Sequence, residues 1–137
     1  MITMKKTLSY SDQVKLEKIF LGIIWFIVGV LSFADGIPSL IIQAIAAITC
    51  ILTLLGVSTA KKENADEMAE QNMNRAKALA SDYMLIIYCC IAIFSILFLN
   101  NVEFSISLSQ IIPGITFMIL GTHHLIVGLA FRKFEEE

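Results

Sequence analysis

The two histidines of this sequence, His123 and His124, are the side chains best suited to proton chemistry. They lie in a long uncharged stretch, and an imidazole in such a stretch can titrate, relay protons or gate a pore. His124 follows Gly121 by three residues and precedes Gly128 by four, so it shares a helix face with both glycines, whereas His123 points about 100° away. The structural alternative is a neutral imidazole that bonds a hydroxyl group or a backbone carbonyl.

Four further polar residues lie near the ends of uncharged stretches. Gln43 and Gln110 could line a polar path or lock an oligomer through hydrogen bonds, or they could simply join neighbouring helices. Asp35 and Glu103 lie in the two loops that carry no basic residue, and in an oligomer they would ring an outer mouth and attract cations. Together with His124, these residues are the predicted polar lining.

The sequence shows no pattern typical of metal binding, catalysis or nucleic-acid binding. Adjacent histidines do not converge on one ion, and no Asp or Glu accompanies them in the same stretch of sequence. We therefore expect no metal site. We find no serine elbow, phosphate-binding loop or paired carboxylates, and we therefore expect no enzyme activity and no cofactor. A net charge of −2 gives no case for nucleic-acid binding. Cys50, Cys89 and Cys90 are interpreted as small buried hydrophobic residues.

The elements that position these residues are predicted to be transmembrane helices. Hydrophobic residues make up 57% of the 137 residues and charged residues 16%, whereas soluble domains average about 25% charged residues. A helix of about 20 apolar residues crosses a bilayer. The charged residues separate four uncharged stretches, at 19–34, 36–60, 83–102 and 104–131. These stretches predict spans at about 15–35, 38–60, 82–100 and 107–131, the first of them extended by Lys15 and Lys18 reaching to the head groups. The prediction is an all-α, antiparallel four-transmembrane-helix bundle, a single membrane domain over residues 1–137.

The basic residues predict the orientation of this bundle. All 10 Lys and Arg residues lie in the N-terminal part, in the connector 61–81 or near the C-terminus. The positive-inside rule then places both termini in the cytoplasm, with the chain in the cytoplasmic (inner) membrane.

Helix signals also appear outside the predicted spans. Ser9 and Asp12 have the spacing of a helix cap. Small and apolar residues recur at three- and four-residue spacing in the connector, which predicts a short cytoplasmic amphipathic helix near residues 65–80. This helix either lies on the membrane or continues into the third span. Asn64 and Glu67 are predicted to cap it.

Six of the seven glycines form two series with a spacing of seven residues. The first is Gly22, Gly29 and Gly36, and the second is Gly114, Gly121 and Gly128. A seven-residue repeat stays on one face of a helix, and glycine on that face lets two backbones approach closely. We expect the first and fourth spans to pack on each other, or on copies of themselves in an oligomer.

The expected function follows from this architecture. The leading hypothesis is a small non-enzymatic protein of the lipid bilayer that forms a homo-oligomer and forms or regulates an ion-conducting path, in one version as a membrane effector. The alternative is an immunity protein or accessory subunit that binds a membrane toxin, a peptide or a larger transporter. A channel conducts ions on its own in liposomes, whereas an immunity or accessory protein does not.

Overall fold

The computed structural model describes residues 7–33, 39–59, 64–98 and 108–137, and every regular element in these ranges is a helix. The elements are α1 (Tyr10–Val14), a π-helical segment (Lys15–Phe20), α2 (Leu21–Leu31), α3 (Ser39–Thr59), α4 (Glu67–Phe98) and α5 (Leu108–Glu136). The first three follow one another without a break, since the backbone stays helical at each junction. Two helices, over Glu67–Leu97 and Ile111–Glu136, are long and apolar enough to cross a membrane.

Polar side chains begin two of the helices. The Ser9 hydroxyl accepts a hydrogen bond from the backbone N–H of Asp12 at 3.2 Å, which confirms the predicted cap. The predicted cap of α4 is wrong. Asp66, and not Asn64, accepts the backbone N–H of Ala69 at 2.7 Å. Asp66 directly precedes the first helical residue, so its short carboxylate reaches the third residue of the helix.

The predicted connector helix and the predicted third span form one continuous helix. α4 runs for 32 residues. The structure therefore shows the second of the two alternatives, in which the connector helix continues into the third span. Met73, Ala76 and Ala80 in its first half are buried. This half therefore packs on the protein itself.

The helices pack in the contact order α3–α2–α5–α4. The most extensive contact joins α2 and α5, α4 packs on α5, and α3 packs on α2 and the π-helical segment. Both α2 and α4 run antiparallel to α5, because their later residues meet its earlier ones. α3 and α4 share no extensive contact in the described ranges, so these contacts do not establish a closed four-helix bundle.

The core lies at one end of the molecule, where α1, α4 and α5 meet. We call it the basal cluster. Its members are all nearly inaccessible to solvent: Val14, Met73, Ala76, Ala80, Val127, Ala130 and Phe131. Because the cluster joins three helices that are distant in sequence, it holds the first half of α4 and the end of α5 in place.

Candidate functional site

Five of the predicted packing glycines lie at the contact between α2 and α5, which we call the glycine seam. A methyl group built on Gly121 would lie 2.5 Å from the backbone nitrogen of Phe26 and 2.7 Å from the carbonyl oxygen of Gly22. A methyl group on Gly29 would lie 2.6 Å from the backbone nitrogen of Met118. The two backbones are therefore too close for any side chain at these positions.

The seam continues to both ends of α2. A methyl group on Gly114 would lie 2.6 Å from the ring of Phe33, and one on Gly128 would lie 2.6 Å from the side chain of Ile19. Between them, the rings of Trp25 and Phe117 stack with centroids 5.1 Å apart. The ring stack adds to the close backbone packing, so α2 and α5 form the scaffold of the molecule.

Within one chain, the seam buries the five glycines of the two series that the structure describes. The sequence allows these faces to meet each other or to meet another copy, and in the structure they meet each other. Gly36, the third member of the first series, lies outside the described residues. Contact between copies therefore needs another surface.

His124 lies on α5 between two glycines of the seam. Its imidazole is half-buried, and its Nδ1 atom is fully buried with no hydrogen-bond partner among the described residues. The ring centroids of His124 and His123 are 5.8 Å apart and the rings are tilted. The two imidazoles therefore leave α5 in different directions, as their adjacent positions require.

His123 lines a groove of about 550 Å³ between α4 and α5. We call it the α4/α5 groove. Its polar lining residues are Ser81, Asp82, Tyr88, Thr116 and His123, and its apolar ones are Met84, Leu85, Ile119 and Leu120. This group was not predicted from the sequence, where Asp82 marks only the boundary of a span. The 100° offset of His123 from the glycine face was the signal that it faces a second neighbour.

Asp82 is the one acidic residue that lines the α4/α5 groove. The ion pairs found in the described ranges join Lys15 to Asp12 and Arg132 to Glu136, and Asp82 takes part in neither. Its carboxylate is exposed at the groove. A negative charge at the end of a largely apolar groove attracts a cationic group.

The side chains of the predicted outer polar residues lie outside the part of the chain that the structure describes. Asp35 and Glu103 lie outside the described residues. The backbones of Gln43 and Gln110 lie in α3 and α5, and their side chains are not among those described. A polar lining made of these residues with His124 therefore stays a prediction.

α3 and the second half of α4 carry most of the exposed apolar surface. On the side of α3 away from its buried residues, five side chains are each more than half exposed: Ile41, Ile45, Ile48, Leu52 and Leu55. We call them the far face of α3. Of these, Ile45 also borders a gap beside α2.

The three cysteines were all predicted to be buried. Cys50 is buried, whereas Cys89 and Cys90 are exposed on α4.

At the basal cluster, aromatic and charged side chains surround the apolar core. Tyr10 packs edge-to-face on Phe131 with centroids 5.7 Å apart. The guanidinium of Arg75 lies 4.5 Å from the centre of the Phe134 ring. Burial raises the pKa of the Tyr10 hydroxyl, and the nearby carboxylates, Glu70 foremost, act in the same direction. The folded chain therefore favours the neutral hydroxyl.

Neither metal chemistry nor similarity assigns a function to these groups. Among the described residues, no three His, Cys, Asp or Glu side chains come together as a metal site. Comparisons with models of protein families, with curated proteins and with solved structures find no match to this chain. The function is therefore argued from the residues themselves.

Proposed function

We propose that the chain is a four-span protein of the inner membrane, with both termini in the cytoplasm, that has no enzyme activity and acts as a homo-oligomer that forms or regulates an ion path. Support for the membrane comes from the two long apolar helices. Support for the orientation comes from the basic residues, which avoid the two predicted outer loops.

The observation that carries the oligomer is the far face of α3. Its residues follow one another at steps of four, three, four and three, which is the spacing of a helix that packs on another at a small left-handed angle. In the part of the chain that the structure describes, each of these side chains stays more than half exposed. Ile and Leu at this spacing can interdigitate with the same residues of a second copy, so the support lies in the spacing and not in the apolar character alone.

Cross-linking through single cysteines tests this face. In a variant with Cys50, Cys89 and Cys90 replaced by alanine, Ile48→Cys places a thiol on α3 and Ile93→Cys places one on α4. Both isoleucines are 57% exposed, so they form a matched pair. In membranes treated with an oxidant, we expect a disulfide-linked dimer several times more abundant for Ile48→Cys. Equal yields from the two variants would rule out pairing through α3.

The ion path itself draws support from His124. The buried Nδ1 atom, which has no partner among the described residues, belongs to an ionisable side chain in a predicted span, and such side chains are candidates for ion and proton paths. The test is ion flux in liposomes that contain the purified protein, at pH 5.5 and pH 7.5, with His124→Ala as the control. We expect flux that depends on pH in the native protein and does not in the variant. Flux that depends neither on pH nor on the His124→Ala substitution would mean that His124 only packs against its neighbours.

A second candidate function is that of an immunity protein or accessory subunit bound to another membrane protein. It is favoured by the glycine seam, because the glycines that could have joined copies are already covered within one chain. The far face of α3 would then accept a helix of the partner. Absence of flux, together with co-purification of a membrane protein that Ile48→Trp abolishes and Ile93→Trp does not, would replace the oligomeric ion path with this function.

A further inference from the structure

We infer that the α4/α5 groove binds an amphiphile with a primary ammonium group, whose charged end lies at Asp82 and whose apolar chain lies along the groove. The inference is independent of the proposed ion path. It rests on how polar and apolar side chains are distributed along the groove, on its volume and on its charge.

The groove has a carboxylate at one end, an apolar middle, and the uncharged hydroxyl groups of Tyr88 and Thr116 at the other end. α4 and α5 run antiparallel, so Ser81 and Asp82 lie at the level of His123, while Tyr88 lies about 9 Å further along the helix axis, near Thr116. Between these ends the walls are Met84 and Leu85 from α4 and Ile119 and Leu120 from α5. This is the pattern of a ligand with one polar end and an apolar body.

The polar end favours a primary ammonium group. Such a group has three hydrogen-bond donors, and the end of the groove offers a carboxylate at Asp82, a hydroxyl at Ser81 and a ring nitrogen at His123 as acceptors. Lys77, one turn before Ser81 on α4, does not line the groove. Thr116 already donates its hydroxyl to the carbonyl of Ile112 at 2.7 Å, so it contributes little to recognition.

Volume and position agree with this ligand. A volume of about 550 Å³ lies within the usual range of small-molecule sites, about 300–1,000 Å³. Asp82 is the first residue of the apolar stretch 82–100, which places the polar end where a span of α4 would enter the membrane. An ammonium group at this level comes either from a phospholipid head group such as phosphatidylethanolamine or from a free amphiphilic amine.

Native mass spectrometry of the full chain released from nanodiscs tests the site. In nanodiscs with equal phosphatidylethanolamine and phosphatidylcholine, we expect about tenfold preferential retention of phosphatidylethanolamine, since only its ammonium group carries hydrogens to donate. In phosphatidylcholine nanodiscs, we expect dodecylamine to be retained about tenfold over dodecanol. If phosphatidylethanolamine displaces dodecylamine, the lipid is the natural source, and if it does not, a free amine is.

Two variants on α4 provide the comparison. Asp82→Asn should reduce both preferences to the level of the neutral competitor, while Glu67→Gln, which removes an exposed carboxylate of the same helix outside the groove, should leave them unchanged. Asp82→Glu keeps the charge and should keep the preference, which separates loss of the site from loss of folding. Equal retention of all ligands by the native protein, or equal behaviour of Asp82→Asn and Glu67→Gln, would overturn the inference.

Discussion

The contact of α2 with α5 and the contact of α2 with α3 both join apolar helices, and they differ in how close the backbones come. At the glycine seam, no side chain separates Gly121 from the backbone of α2. α3 instead touches the protein through Ala46, Cys50 and Val57, and a gap of about 290 Å³ lies beside it. Hydrophobicity alone therefore does not determine which helices pair in this chain. The difference lies in glycine, because each residue through which α3 makes contact carries a side chain that keeps the backbones apart.

A difference in packing also divides α4 along its length. Its first half contributes Ala76 and Ala80 to the basal cluster, and both are fully buried. Its second half exposes most of its large side chains, among them Phe94 and Leu97. One helix thus combines a half that is buried in the basal cluster with a half whose large side chains are mostly exposed.

The largest difference is expected between two phenylalanines, one in the basal cluster and one in the second half of α4. Phe131 in the basal cluster is 1% exposed and Phe94 in the second half of α4 is 55% exposed. Phe131→Ala should lower the free energy of unfolding by about 3–5 kcal/mol, because it leaves a cavity and removes the ring that Tyr10 packs on. Phe94→Ala should change it by about 0.5 kcal/mol or less. Thermal and denaturant unfolding in detergent, followed by circular dichroism, measure both, and similar losses would mean that the second half of α4 is also packed.

A difference of intermediate size is expected between alanine substitutions at two glycines, Gly121 and Gly56. Gly121→Ala should lower the free energy of unfolding by about 1–3 kcal/mol, since the added methyl group meets backbone atoms that cannot rotate away. A methyl group on Gly56 of α3 would meet nothing within 4 Å. Gly56→Ala should therefore be neutral or raise stability by up to about 1 kcal/mol through helix propensity. A tolerated Gly121→Ala, measured by the same unfolding assay, would contradict the close approach of α2 and α5.

The smallest effect concerns the start of α4, where the anchored half begins. Asp66→Ala should lower the free energy of unfolding by about 1 kcal/mol, because the N–H of Ala69 loses its acceptor. Asn64→Ala should change it by about 0.5 kcal/mol or less. Should Asn64→Ala be the more damaging of the two, the cap predicted from the sequence would be restored.

Much of the fold was predictable from the sequence because its signals are local or periodic. Uncharged stretches indicate the apolar helices, and the spacing of Gly22, Gly29, Gly114 and Gly121 marks a close contact. The partner in that contact was not predictable, since a seven-residue repeat fits another helix of the chain as well as a second copy.

The candidate groove was harder to predict for a related reason. Asp82 and His123 are 41 residues apart in the sequence, and each has an ordinary explanation taken alone, as a boundary residue and as a polar residue in a helix. Only the antiparallel pairing of α4 with α5 makes them neighbours. The two carboxylates of the predicted outer mouth, Asp35 and Glu103, had a clearer pattern, and they lie outside the described residues.

The π-helical segment Lys15–Phe20 sets the rotational phase of the first helix. Val14 and Gly22 both face α5, the first in the basal cluster and the second in the seam. In an uninterrupted α-helix, residues eight apart point about 80° away from each other. A π turn holds one residue more than an α turn, so it makes their separation equivalent to seven, which is close to two full turns. Loss of one residue within Lys15–Phe20 would convert the segment to α-helix and keep both contacts in phase, whereas gain of one residue would force Val14 to turn away from Phe131.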